Sequence, residues 1–276
     1  MLGQYLITFR EALEAALITA IILSYLNRTG KRYLTCYVWY GVILAVVASL
    51  VVNVLIFVVY SALDRLSQFL FEALASFIAV IVLSSMIYWM TVKGKSVKQE
   101  MEKRIEVITT KGAVVGLTSV AFVIVFREGL ETVLFLAPFI FEDAISTFIG
   151  GAAGLITSFL FSYGIFLAGM KISLRNFFYF TSILLILLAG GLAGYGIHEL
   201  IEYYKESGVR LGYIAEPAFN LGISADNPFH HKGILGSIFA VMFGYSVSPE
   251  WGRVVVHFTY LVIMLPLMVW LHEKEG

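Results

Sequence analysis

Long apolar stretches of helical length alternate with short polar segments along almost the whole chain. A helix needs about 20 apolar residues to cross a bilayer, and seven stretches approach or exceed that length. They are residues 2–26, 37–60, 69–92, 113–140, 145–170, 177–200 and 254–271. Another apolar run, at 233–245, is too short to cross and predicts an interfacial or re-entrant segment. The pattern therefore predicts an all-α, polytopic membrane protein with seven transmembrane helices.

Composition supports that class and excludes several others. The chain is 59% hydrophobic and only 14% charged, and its mean hydropathy is +0.88, values typical of multi-pass membrane proteins. Its single cysteine, Cys36, excludes an internal disulfide and a multi-thiolate metal site. No basic tail or aromatic-basic stripe indicates a nucleic-acid partner. We therefore expect a protein of the cell membrane that is surrounded by lipid.

The distribution of basic residues predicts the orientation of the chain. Twelve Lys and Arg residues follow predicted spans one, three, five and seven, whereas five lie on the opposite side. Loops rich in Lys and Arg remain in the cytoplasm. The N-terminus is therefore predicted to lie outside and the C-terminus inside.

A charged motif occurs twice within these apolar stretches. It reads Arg10-Glu11-Ala12-Leu13-Glu14 in span one and Arg127-Glu128-Gly129-Leu130-Glu131 in span four. Span one runs inward and span four outward, so the duplication predicts a 3+3 inverted repeat with one added helix. The single integral membrane domain, 1–276, would then comprise repeat one (about 1–92), a connector (about 93–111), repeat two (about 112–200), an external loop with a short apolar segment (about 201–253) and the last helix (about 254–271).

The position of both motifs indicates one shared site. In each copy the two Glu residues lie 9 and 12 residues from the predicted outer end of the helix, roughly 14 to 18 Å deep at 1.5 Å per residue. Successive steps of about 100° place the Arg and both Glu on one face. Such intramembrane charge is costly and marks a functional site by default. The predicted metal ligands are Glu11, Glu14, Glu128 and Glu131, with Arg10 and Arg127 beside them.

Carboxylate oxygen atoms favour hard or borderline cations such as iron or manganese over soft ions. Three alternatives remain open. The motifs could be interhelical salt bridges that fix helix register, or the same Glu residues could serve a transporter of another divalent cation or a proton-coupled carrier. The third alternative is an intramembrane di-metal carboxylate enzyme, which lacks support because the Glu-x-x-His pairs of four-helix di-iron sites are missing. A transporter, rather than an enzyme, is the preferred interpretation.

Three further polar residues are predicted to lie along the external approach to this site. Glu72 is near the outer end of span three, and His198 and Glu199 are at the outer end of span six. Side chains of this kind at a channel mouth raise the local concentration of cations.

The doubled motif resembles that of the oxidase-dependent iron transporter family, which includes fungal high-affinity iron permeases and Efe-type bacterial iron permeases. Phe71-Glu72-Ala73 and His198-Glu199-Leu200 also resemble family features. The resemblance covers most of the chain and implies iron uptake, with Fe³⁺ delivered by an extracytoplasmic ferroxidase or another iron-delivery protein. It implies that the four Glu residues bind iron as substrate, next to the motif arginines, and that no cofactor is tightly bound.

Overall fold

A computed structural model describes residues 2–93, 97–111, 113–168, 174–224, 227–230, 236, 239–240 and 244–274. Eight α-helices lie within them: α1 (Leu2–Arg28), α2 (Thr35–Ser61), α3 (Arg65–Lys93), α4 (Val97–Lys111), α5 (Ala113–Glu142), α6 (Ala144–Ala168), α7 (Leu174–Glu206) and α8 (Trp251–Lys274). The described residues contain no β-strand beyond one isolated bridge between Pro217 and Glu250. The all-α prediction is confirmed.

Six of the helices cover a predicted apolar stretch each, α6 covers residues 145–168 of the predicted stretch 145–170, and α4 lies in the predicted connector. Helix α7 continues to Glu206, six residues beyond the predicted end, and α8 begins at Trp251 rather than at residue 254. Both extensions include charged residues, which water can solvate at the end of a helix. A search for apolar length alone therefore stops short of them. The apolar run at 233–245 lies largely outside the described residues.

Five helices (α2, α3, α6, α7 and α8) are long and apolar enough to cross a membrane. Helices α1 and α5 have 27 and 30 residues, and each carries three charged motif residues near its middle. The most apolar part of α2 has a mean hydropathy of 3.1, yet only 11% of it is buried within the protein. An exposed apolar surface of this extent requires lipid, so the chain is an integral membrane protein.

Acidic residues cap two of the helices that follow short reversals of the chain. Asp64 accepts hydrogen bonds from the Ser67 hydroxyl, at 2.6 Å, and from the Ser67 backbone N–H, at 3.4 Å. Asp143 accepts one from the Ser146 backbone N–H at 3.1 Å. Both satisfy donors that the first turn of a helix leaves unpaired. The caps fix where α3 and α6 begin, directly after the reversals that follow α2 and α5.

The most extensive helix pairings are α1 with α6, α2 with α5, and α3 with α7, while α1 also contacts α5. Small residues permit the close packing of α1 on α6 and of α2 on α5. A Cβ at Gly154 of α6 would lie 2.6 Å from the Tyr5 carbonyl oxygen of α1, and a Cβ at Gly41 of α2 would lie 2.9 Å from the Ala121 Cβ of α5. Helices pack this closely in membranes when an interface lacks side-chain bulk.

Two apolar clusters lie on either side of the motifs. The larger joins α1, α3, α5, α7 and α8 and includes Ile7 and Phe135, whereas the smaller includes Ile22 of α1 and Leu117 of α5. Helix α1 therefore leads from the larger cluster to the smaller one, and α5 leads in the reverse direction. The two motif helices are antiparallel, and their charged residues lie between the clusters.

Candidate metal site between α1 and α5

The first motif copy is almost completely buried. Arg10 is 1% exposed and Glu11 is fully buried, while Glu14 is 5% exposed. The Arg10 guanidinium lies 2.7 Å from one oxygen of Glu11 and 2.7 Å from one oxygen of Glu14. It therefore pairs with both carboxylates of its own motif, in agreement with the predicted position of all three side chains on one helix face.

Two methionines of α3 complete the surroundings of Arg10. Its Nη1 donates to the Met86 sulfur at 3.0 Å and its Nη2 to the Met90 sulfur at 2.6 Å. Both methionines are 6% exposed. A thioether is a weak acceptor, but it fits an apolar interior that water does not reach. Helix α3 thus holds a guanidinium that the bilayer interior would otherwise leave poorly paired.

The second motif copy is more open. The Arg127 side chain is 50% exposed, and its nitrogens lie 3.0 Å from a Glu128 oxygen and 3.2 Å from a Glu131 oxygen. Its guanidinium also lies 5.8 Å from the centre of the Trp89 ring, a cation–π distance. Glu128 itself is only 2% exposed. The two copies share their ion-pairing pattern but differ in the burial of the arginine.

Carboxylates of the two motifs come together between α1 and α5. One oxygen each from Glu11, Glu128 and Glu131 lies within 4.8 Å of the others, a spacing that one cation could bridge. The Oε2 atoms of all three residues are buried without a hydrogen-bond partner among the described residues. Unpaired buried carboxylate oxygens are costly, so this group requires a cation or bound protons.

Glu14 is not one of those three, although it is buried beside them. Its Oε1 lies within ion-pair distance of Arg10, without the alignment of a hydrogen bond. The four glutamates and two arginines have a formal sum of −2. The surplus negative charge belongs to the group as a whole, since Arg10 pairs with both Glu11 and Glu14 and Arg127 pairs with both Glu128 and Glu131.

The difference between Ala12 and Gly129 in the two motifs has a physical cause. A Cβ at Gly129 would lie only 2.7 Å from the Cβ of Ser49 and even closer to its hydroxyl oxygen. Ser49 is buried and donates to the Ala45 carbonyl at 2.9 Å. Helix α2 therefore crosses α5 at the motif too closely for a side chain at residue 129.

The predicted approach residues lie together at the far end of α3 and α7. Glu72 is 8% exposed, and its two oxygens accept hydrogen bonds from the Tyr60 and Tyr195 hydroxyls. Glu199 is 6% exposed, and it too lies within hydrogen-bonding range of Tyr195. Helix packing thus brings these two carboxylates together, and two phenol hydroxyls donate to Glu72.

His198 lies beside that pair but turns to another partner. Its Nδ1 is 2.9 Å from Oε1 of Glu250, the residue that precedes α8. Burial alone would raise the pKa of Glu250, but the hydrogen bond and the charge of His198 outweigh it and hold that pKa below its usual value. Glu250 is therefore ionised at neutral pH.

Several of these neighbours were absent from the sequence analysis. Met86 and Met90 are spaced i, i+4, which places them on one helix face, and that spacing inside a predicted span was an available signal. No signal in the sequence indicated Ser49 or Glu250. Each lies in a different segment from the residue that it contacts, and no local spacing connects the two.

Buried carboxylates between apolar helices are typical of functional sites in membrane proteins, and comparison with known proteins gives the family. The pattern that defines the Iron permease FTR1 family matches residues 1–270. The chain is 43% identical over 276 residues to an uncharacterized protein of Archaeoglobus fulgidus, covering 100% of this chain and 96% of that one. It is 35% identical over 270 residues to the ferrous iron permease EfeU of Yersinia pestis, covering 97% and 93%.

A third similar protein is the putative inactive ferrous iron permease EfeU of Escherichia coli K12, 33% identical over 265 residues, covering 95% of this chain and 93% of that one. No solved structure matches. The chain belongs to the Iron permease FTR1 family. It is therefore a permease that carries iron across a membrane and not an enzyme, and iron is its substrate rather than a cofactor.

Proposed function

We propose that this protein imports iron across the cell membrane through a midplane site formed by Glu11, Glu14, Glu128 and Glu131. The observation that carries the proposal is the group of unpartnered Oε2 atoms on three of these residues, drawn from both motif copies. A buried group of this kind attracts a cation, and both motif arginines keep its charge from exceeding −2.

The proposal includes seven membrane-spanning helices in an inverted repeat, with α1–α3 related to α5–α7. Exchanging the two triplets maps the α1–α6 pairing onto the α5–α2 pairing and leaves α3–α7 and α1–α5 as self-related pairs. The antiparallel course of the motif helices between the two apolar clusters also supports it. A repeat of this kind locates the ion where the halves meet and permits one half to rock against the other.

The orientation has a direct test in the single cysteine. Cys36 is exposed near the start of α2 and is predicted to face the cytoplasm. A membrane-impermeant thiol reagent should label it only after the cells are broken. Ser207→Cys in a Cys36→Ser background, just beyond the end of α7, should be labelled in intact cells. The reverse pattern would invert the proposed topology.

The charge of the transported ion follows from the charge of the site. The family resemblance implies Fe³⁺, whereas the similar proteins of Yersinia and Escherichia are named ferrous iron permeases. A divalent ion would neutralise the formal charge of −2, but Fe³⁺ would leave a net positive charge in a low-dielectric interior. We infer that Fe²⁺ crosses the site. An extracytoplasmic ferroxidase remains the partner expected if Fe³⁺ is the transported form.

Uptake by proteoliposomes tests the proposal. Fe²⁺ kept reduced by ascorbate should enter faster than Fe³⁺ citrate, Mn²⁺ or Zn²⁺, and Glu128→Gln should abolish entry. Glu102→Gln is a matched control, since Glu102 forms a 3.1 Å ion pair with Arg28 at the protein surface. Preferred entry of Mn²⁺ or Zn²⁺ would favour a transporter of another divalent cation. Uptake that requires a pH gradient would add proton coupling to the mechanism.

A further inference from the structure

A second group of potential metal ligands lies where α7 ends and α8 begins. Single ligand atoms of His198, Glu202 and Glu250 lie within 4.8 Å of one another. His198 and Glu202 are one turn apart on α7, so their side chains share a face. Glu250 is held opposite them by backbone hydrogen bonds from Ala218 to the Pro249 carbonyl, at 2.8 Å, and from Trp251 to the Glu216 carbonyl, at 3.1 Å.

One oxygen of Glu250 has no hydrogen-bond partner in the described part of the chain, and this indicates that His198, Glu202 and Glu250 can bind a cation. Glu250 is 7% exposed, and its Oε1 bonds to His198. Its Oε2 is buried without a hydrogen-bond partner among the described residues. A buried, unpaired carboxylate oxygen is costly, and a cation shared with His198 and Glu202 would remove that cost.

The group is accessible to an ion. It borders a cavity of about 530 Å³ whose lining includes Asn220, Ser246 and Ser248 as well as His198 and Glu250. The His198 and Glu202 side chains are 32% and 31% exposed. A water molecule occupies about 30 Å³ in the liquid, so a hydrated cation fits the cavity.

Two cations of the protein compete for these carboxylates. Lys205 lies 2.7 Å from a Glu202 oxygen, and Arg253 lines the same cavity. Lys205 is partly exposed, at 43%, and an ion pair of this kind contributes little stability. A divalent ion can therefore displace it from Glu202.

This group is separate from the motif site. Glu72, which bonds Tyr195 of α7, is 14 residues from Met86, which contacts Arg10. At a rise of 1.5 Å per residue, Glu72 and Met86 are about 21 Å apart along the axis of α3. One ion cannot occupy both groups.

We propose that His198, Glu202 and Glu250 bind a divalent first-row transition cation at the external mouth of the protein, before it reaches the motif carboxylates. One imidazole and two carboxylates suit borderline ions such as Fe²⁺ and Mn²⁺. The order of the two sites along the transport path rests on the proposed function. Binding at this mouth site does not.

Mn²⁺ binding to the purified protein tests the proposal without transport. Pulsed electron paramagnetic resonance detects coupling between bound Mn²⁺ and an imidazole nitrogen. We expect this coupling in the wild-type protein and in a Glu11→Gln/Glu128→Gln variant. It should disappear in His198→Asn and persist in His230→Asn, a matched control because His230 borders the same cavity.

Equilibrium dialysis with Mn²⁺ gives the second measurement. In the Glu11→Gln/Glu128→Gln background, adding Glu250→Gln should weaken the remaining binding by about tenfold or more, while Glu216→Gln should leave it unchanged. Nitrogen coupling that survives His198→Asn, or tight binding that survives both Glu250→Gln and Glu202→Gln, would overturn the mouth site. Normal transport in the motif variants would overturn only the proposed function and leave the mouth site intact, so the two failures are distinguishable.

Discussion

The two copies of the motif have the same ion pairs but different surroundings. Arg10 is 1% exposed and is bound by two carboxylates and two thioether sulfurs. The Arg127 side chain is 50% exposed, its ion pairs are longer, and an aromatic ring lies beside it. The comparison indicates a division of labour, in which the α1 copy is a fixed part of the core and the α5 copy has an arginine that can move.

The grouped carboxylates follow the same division. Glu11 comes from the buried copy, whereas Glu128 and Glu131 come from the copy with the exposed arginine. Because the Arg127 side chain is half-exposed, it has room to turn away from its carboxylates when an ion takes its place, so α5 is the side on which an ion can replace an arginine. The buried copy would hold the local geometry while that exchange takes place.

The largest expected effect comes from removing a grouped carboxylate in either copy. Glu11→Gln and Glu128→Gln should each reduce iron uptake by about 100-fold or more, since residues that only orient metal ligands already change metal affinity by 10–100-fold. The reduction is measured as the uptake of radioactive iron by cells that contain equal amounts of the wild-type protein or of each variant. Normal uptake in both variants would dismiss the shared site and leave each motif as a local salt bridge.

The second effect separates the two arginines. Arg10→Ala leaves buried carboxylates without their cation and should destabilise the protein by about 3 to 5 kcal/mol. Arg127→Ala also leaves Glu128 and Glu131 without their cation, but it removes a half-exposed side chain, so the loss of stability should be smaller than that of Arg10→Ala. Thermal unfolding in detergent compares the variants, with Arg65→Ala as a surface control. Equal losses of stability would show that the copies are energetically equivalent, contrary to their burial.

The sequence predicted the shared features of the two copies but not their difference. Charge inside apolar stretches and the Arg-Glu-x-Leu-Glu spacing are visible in the local sequence, and they predicted one site formed by Glu11, Glu14, Glu128 and Glu131. Single oxygens of three of these residues, without Glu14, lie within 4.8 Å of one another. Which third helix covers each copy is a tertiary property. Met86 and Met90 contact Arg10 from 76 and 80 residues away, and Glu250 contacts His198 from 52 residues away. No periodic pattern connects such distant segments.

The third effect tests the close crossing of α2 on the second copy. Gly129→Ala introduces a Cβ into the space of Ser49 and should destabilise the protein by about 1 to 3 kcal/mol. Ala12→Gly in the first copy should cost only about 0.5 to 1 kcal/mol, the usual penalty for glycine inside a helix.

Ser49→Gly provides the matched rescue. It removes the obstructing side chain, so Gly129→Ala should cost much less in a Ser49→Gly background than in the wild-type protein. A double-mutant cycle of unfolding free energies measures the coupling between the two positions. Independent effects would mean that the clash does not limit residue 129.

The smallest effect concerns the methionines that distinguish the surroundings of Arg10. Met86→Leu together with Met90→Leu keeps nearly the same apolar volume but removes both sulfur acceptors, so the loss of stability should stay below about 1.5 kcal/mol for each substitution. Arg10 would then depend on Glu11 and Glu14 alone and would hold them more tightly. Iron affinity should fall by a few-fold while the protein remains folded. Met264→Leu, in the same apolar cluster but without a contact to Arg10 among those described, is the control. If the double variant binds and transports iron as the control does, the sulfurs only fill space, and the fixed position of Arg10 depends on its carboxylates alone.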